Sequence, residues 1–135
     1  MSMLIEKFRA GAVDNRNYNC AEKVLNLGNE ELGLGMSEDA TRVAAGFGAG
    51  MGREHLCGAI AGAVMVLSLR RVKTVAKESA IYQETAVLLD NIERQLGSLL
   101  CQQLKADHYD SEKKCQFIID QVIEILDKQL IESSE

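Results

Sequence analysis

The sequence contains no proline and no tryptophan, only three Phe and three Tyr, and only two histidines among 135 residues. Without proline, no residue lacks its backbone N–H or clashes with the preceding turn, so helices can run uninterrupted. Two histidines leave little material for His-centred nucleophile or acid–base constellations, and neither His55 nor His108 stands beside a recognised nucleophile motif. Basic residues are also short: 15 Lys and Arg face 20 Asp and Glu, a net charge of −5. That balance argues against nucleic acid as a partner, since such binding rests on neutralising phosphates. The charge-free stretch Leu56 to Leu69 has fourteen residues, short of the ~20 needed to cross a bilayer, so no membrane insertion is expected. Residues Met1 to Lys7 show no basic segment followed by an apolar run, as a secretory signal would. The expectation is a cytoplasmic chain with reduced thiols.

What is present points to a folded helical domain. With 47% hydrophobic and 26% charged residues the chain has enough apolar surface to offset the entropy of ordering. A domain near this size buries roughly 70% of its unfolded-chain surface, so it needs no disulfide framework to stay folded. Helical periodicity dominates and no stretch shows period two. The spacing predicts helices over Ser2 to Val13, Tyr18 to Glu31, Glu38 to Phe47, Leu56 to Leu69, Val75 to Leu96 and Ser111 to Ile131, with a short turn from Leu99 to Leu104. Asn17 or Asn19, Ser37 and Ser98 are the candidate caps, and Gly97 a stop. The expected architecture is all-α: one domain over residues 1–135, a bundle of about six helices around a buried central helix, the one without charges.

Eight of the eleven glycines lie between Gly33 and Gly62, four of them alternating in Gly46-Phe47-Gly48-Ala49-Gly50-Met51-Gly52. The run lacks Gly-x-Gly-x-x-Gly spacing, a Gly-Lys pair and a preceding strand, so it does not read as a phosphate cradle. It reads as a loop that turns tightly and passes close to another backbone. Gly58 and Gly62 would let a neighbouring helix approach the buried one. Gly58 also leaves the Cys57 sulfur unshielded, with Gly62 one turn beneath it.

The cysteines carry the chemistry. Cys20, Cys57, Cys101 and Cys115 are 37, 44 and 14 positions apart, so there is no Cys-x-x-Cys pair and no zinc-knuckle or thioredoxin-type spacing. All four nevertheless fall near predicted helix N-termini, where unsatisfied amides and the helix dipole stabilise a thiolate. Arg53 and His55 before Cys57, and Lys113 and Lys114 before Cys115, would add to this effect. The competing explanation is burial, for cysteine is among the most buried residue types.

The run Gly46 to Arg53 followed by Cys57-Gly58-Ala59-Ile60-Ala61-Gly62 resembles the signature of the C_GCAxxG_C_C family of redox-active proteins. In that pattern an upstream cysteine, here Cys20, precedes a Cys-Gly-Ala-x-x-Gly motif at Cys57, and two cysteines follow, here Cys101 and Cys115. The resemblance spans most of the chain and implies a redox role.

Three functions compete. In the first, Cys57 is an attacking thiolate and Cys20, Cys101 or Cys115 resolves it in dithiol–disulfide exchange with a redox partner, as in a thiol–disulfide oxidoreductase. In the second, Cys20, Cys57, Cys101 and Cys115 together bind a metal, zinc or an iron–sulfur cluster, with His55 and His108 as substitute ligands. In the third, the chain is a helical interaction module. Its last helix carries Phe117, Ile118, Ile119, Val122, Ile123, Ile125, Leu126, Leu130 and Ile131, a surplus that suits a partner helix or a homodimer.

Overall fold

The computed structural model describes residues 4–132. Among the described residues there are seven α-helices and no strand: α1 Leu4–Arg9, α2 Cys20–Leu32, α3 Glu38–Thr41, α4 Gly58–Arg71, α5 Ile81–Leu96, α6 Cys101–His108 and α7 Gln116–Glu132. The charge-free segment forms α4, and eight of its residues from Gly58 to Leu67 are buried. It packs on α2, α5 and α7 and is the expected central helix. Its approach to α2 is set by glycine on both sides. A Cβ on Gly62 would stand 2.8 Å from the Ala21 carbonyl, and one on Gly28 would stand 2.5 Å from a Val66 methyl.

Local chemistry fixes the other elements. Asn19 caps α2 in a reciprocal box: its Oδ1 accepts from the Glu22 N–H and Glu22 Oε1 accepts from the Asn19 N–H, both at 2.9 Å. Gly33 ends α2 in the left-handed conformation. Helix α1 buries Leu4, Ile5 and Phe8 and packs on α7. There the Ile5 N–H donates to the buried Asp127 carboxylate at 3.2 Å, and Arg9 grips Asp120 with two bonds of 2.9 Å. Arg71, at the C-terminal end of α4, pairs with Glu84 of α5 at 2.9 Å and donates to the Leu130 carbonyl of α7 at 3.2 Å.

Several boundaries differ from those expected, each for a local reason. Ser2, the expected start of α1, lies outside the described residues. The helix stops at Arg9, and Val13 is left-handed with φ 63°. Helix α3 is one turn, capped by Ser37 as expected, and it continues to Phe47 as a tighter 3-10 helix. Helix α4 starts at Gly58 because Leu56 is held in an antiparallel bridge with Leu100. Helix α5 begins at Ile81 rather than Val75, because a 3-10 turn over Ala76–Glu78 is followed by the extended Ser79. Ser98 caps the turn before α6 and not α6 itself; its hydroxyl accepts from the Leu100 N–H. Helix α7 begins at Gln116 rather than Ser111. Asp110 folds the intervening residues into a turn by accepting from the Lys113 N–H at 3.2 Å, and Lys114 is left-handed with φ 59°.

The apolar surplus of α7 is absorbed within the chain. Ile118, Ile119, Val122, Ile123, Ile125, Leu126 and Leu130 are all buried, because α1, α4 and α5 each pack on this helix. Only Phe117 and Ile131 of that set are exposed. No helix among the described residues is long and apolar enough to cross a membrane.

Candidate functional site

Cys20 is the first residue of α2, Cys57 immediately precedes α4, Cys101 is the first residue of α6, and Cys115 immediately precedes α7. The expected placement at helix starts therefore holds, with Cys115 just ahead of its helix instead of in the first turn. The four side chains, spread over 95 positions of sequence, line one pocket of about 350 Å³. All are free thiols. Cys57 and Cys101 are buried, and Cys20 and Cys115 are half-buried.

Backbone pairing brings two of them together. The Cys57 N–H donates to the Leu99 carbonyl at 3.0 Å and the Cys101 N–H to the His55 carbonyl at 2.5 Å, flanking the Leu56–Leu100 bridge. Side chains alternate along an extended pair, so Leu56 and Leu100 lie on one side and Cys57 and Cys101 on the other, as diagonal neighbours facing the pocket. Gly50 makes this crossing possible: it is left-handed, with φ 60°, and a Cβ there would stand 2.4 Å from the His55 nitrogen and 2.8 Å from the Cys101 Cβ.

Gly58 admits a third cysteine. A Cβ on it would stand 2.4 Å from the Cys20 sulfur, 2.7 Å from the Phe47 carbonyl and 3.2 Å from the Gly48 Cα. The missing side chain thus leaves room for the sulfur of Cys20, beside Cys57. Gly62 does not serve this purpose. It faces Ala21 and Val24 of α2, which makes it a helix-packing residue with no part in the sulfur site.

At Cys57, Cys101 and Cys115 the electrostatics run against the expected thiolates. Burial pushes the Cys57 thiol up from 9.0 to about 11; the Ile60 and Ala59 amides pull the other way, as helix-start reasoning requires, but burial outweighs them. Charge on Cys20 and on Cys101 adds to the rise. Burial likewise raises Cys101, against the pull of Lys105, and raises Cys115, against the pull of Lys105 and Lys23. A charge on Cys20 raises each of the other three.

Of the basic residues adjacent to the cysteines in sequence only the pair before Cys115 reaches the pocket, and the pull on the thiols comes from Lys23 and Lys105. Arg53 and His55 do not line the pocket, whereas Lys23, Lys105, Lys113 and Lys114 do. Lys23 follows Cys20 by three positions and Lys105 follows Cys101 by four, spacings that place a lysine on the same helix face as the cysteine. Helical spacing, not adjacency in the chain, is the sequence signal for these two lysines. Lys105 is anchored by Glu54 at 3.0 Å.

Among the described residues, no group of three or more His, Cys, Asp or Glu side chains is arranged to hold a metal ion. Neither histidine lines the pocket. His55 is exposed, and His108 lies 3.2 Å from the Leu96 carbonyl with its ring 5.3 Å from that of Phe117.

A sequence model of the family described as "Putative redox-active protein (C_GCAxxG_C_C)" matches residues 18–129, a span that holds all four cysteines. No curated protein and no solved structure matches the chain.

Proposed function

The chain belongs to the C_GCAxxG_C_C family, and from that premise we propose that its pocket is a thiol redox site that cycles between dithiol and disulfide. The observation that carries this reading is the convergence of all four cysteines, from four separate helix starts, on one pocket. Forming a disulfide removes two electrons and two protons from a pair of thiols, and thiolate attack on an incoming disulfide delivers them.

Cys20 takes the attacking role in this scheme, in place of the Cys57 expected from sequence. Cys57 is 6% exposed and its thiol is held up at about 11, which keeps it protonated near neutral pH. Cys20 is half-buried and lines the same pocket as the other three cysteines. Cys57 is then the natural resolving residue, since the Cys20 sulfur packs against the backbone of its neighbour Gly58. A cytoplasmic setting suits the scheme, because a reducing thiol pool returns the disulfide to dithiol.

Intact-mass measurement after mild oxidation, with remaining thiols blocked, tests the proposal. The expected product has two blocked thiols and one internal disulfide, and reductant restores all four. Four blocked thiols after oxidation would refute it.

A further inference from the structure

The cysteine pocket is charged against the trend of the chain. The protein carries a net −5, yet four of its eight lysines and none of its 20 Asp and Glu line this pocket. Lys105 is committed to Glu54. Lys23, Lys113 and Lys114 form no salt bridge among the described residues, so their charges are available to a ligand. The rest of the lining includes Tyr18, Leu104, Ile118 and Ile119, an apolar bed. At about 350 Å³ the pocket is at the small end of ligand sites, which run from ~300 to 1,000 Å³.

Resting on the thiol redox reading above, we propose that the pocket's substrate is a small organic disulfide whose two halves carry carboxylates, with Lys23, Lys113 and Lys114 binding the carboxylates and the apolar bed receiving the sulfur-bearing centre. The Cys20 thiolate attacks one substrate sulfur, the substrate S–S bond breaks, and the first half leaves as a thiolate. A mixed disulfide now links Cys20 to the second half. Cys57 gives its proton to the departed thiolate and attacks the Cys20 sulfur, and the second half leaves as a thiolate that takes up the proton first lost from Cys20. Two protein thiols have become one disulfide, and one substrate disulfide has become two thiols.

The test compares three disulfides of different charge on the reduced full chain: oxidised glutathione, with carboxylates on both halves, neutral 2-hydroxyethyl disulfide, and cationic cystamine. Each rate of pocket oxidation is divided by that disulfide's rate with 2-mercaptoethanol, an uncharged thiol, which removes intrinsic reactivity without a charge preference of its own. The expected normalised rate for oxidised glutathione exceeds that for cystamine by about tenfold or more, within the range that a focused charge produces, and the ratio falls as salt is added. Lys113→Glu combined with Lys114→Glu, both on exposed side chains, should reverse the order; circular dichroism checks that this variant is folded. Adding Lys23→Gln to Lys113→Gln and Lys114→Gln should bring the ratio near one. Equal normalised rates for all three disulfides would overturn the substrate assignment while leaving thiol cycling intact, as would oxidation by a protein disulfide alone. Oxidation by none of the reagents tried would overturn the thiol redox reading itself.

Discussion

Replacing Gly58 by alanine puts a methyl group where three atoms already stand, 2.4 Å from the Cys20 sulfur, 2.7 Å from the Phe47 carbonyl and 3.2 Å from the Gly48 Cα. Rotating Cys20 relieves only the first contact. The other two are backbone, so the 3-10 segment ending at Phe47 must move away from α4. Over-packing of this kind costs about 1–3 kcal/mol. Alanine returns part of that through helix propensity, up to ~1 kcal/mol in a helix interior and less at a first position such as this one. The expected net loss is about 1–2 kcal/mol, read as a lower urea midpoint with an unchanged slope. Gly46→Ala is the control, because nothing lies within 4 Å of its Cβ position; it should stay within ~1 kcal/mol of the parent. The displaced Cys20 of the Gly58→Ala variant should also be alkylated faster than in the parent. If Gly58→Ala matches the control in stability and leaves Cys20 alkylation unchanged, the packing of Cys20 against α4 is wrong.

Other outcomes follow from the same geometry. The folded-state Cys57 thiol lies at about 11 against 9.0 for an ordinary thiol, so its contribution to stability is complete below pH 9 and is lost as pH rises from 9 through 11. Urea titrations across that window should show a loss of roughly 3 kcal/mol that Cys57→Ala removes. Asn19→Ala breaks the capping box of α2 and its bond to the Ala45 carbonyl at 3.0 Å, and should cost about 1–2 kcal/mol in a thermal melt. Arg71→Ala removes a half-buried ion pair and a bond to the Leu130 carbonyl; a urea midpoint reading should show a loss of about 2–4 kcal/mol, because Glu84 and Leu130 are left unpaired.

The helical plan was legible because its signals are local. Leu56 to Leu69 announces a buried helix by having no charge, and Ser37 and Asn19 cap as their chemistry requires. What escaped was set by contacts distant in sequence. The Leu56–Leu100 bridge, which delays α4 to Gly58 and aligns Cys57 with Cys101, joins residues 44 positions apart and leaves no trace in periodicity. The Asp110 turn that delays α7 reads in sequence as an ordinary acidic helix start. The surplus apolar residues of α7 were legible as a pattern but not as to their partners, which are α1, α4 and α5 of the same chain.

At the site, the identity and helix-start position of the cysteines are readable from sequence, and the direction in which burial shifts Cys57, Cys101 and Cys115 is not. Dipole and capping arguments concern charges near a helix end. They leave out desolvation, which depends on what the rest of the fold lays over the sulfur, and at Cys57 it outweighs the Ile60 and Ala59 amides. Gly58 was rightly read as making room for sulfur, but the sulfur it admits belongs to Cys20.

In the proposed scheme the four cysteines work as one redox site with Cys20 as its first nucleophile. Peptide-level mapping of disulfides after brief oxidation by a limiting amount of oxidised glutathione tests this most directly, run on the parent and on Cys20→Ser. The parent should form an internal Cys20–Cys57 disulfide, and oxidation of the variant should be slowed by about tenfold or more, because burial raises each of its three remaining thiols above the ordinary value. Unchanged oxidation of Cys20→Ser, or a parent disulfide that joins other cysteines and leaves Cys20 free, would contradict it.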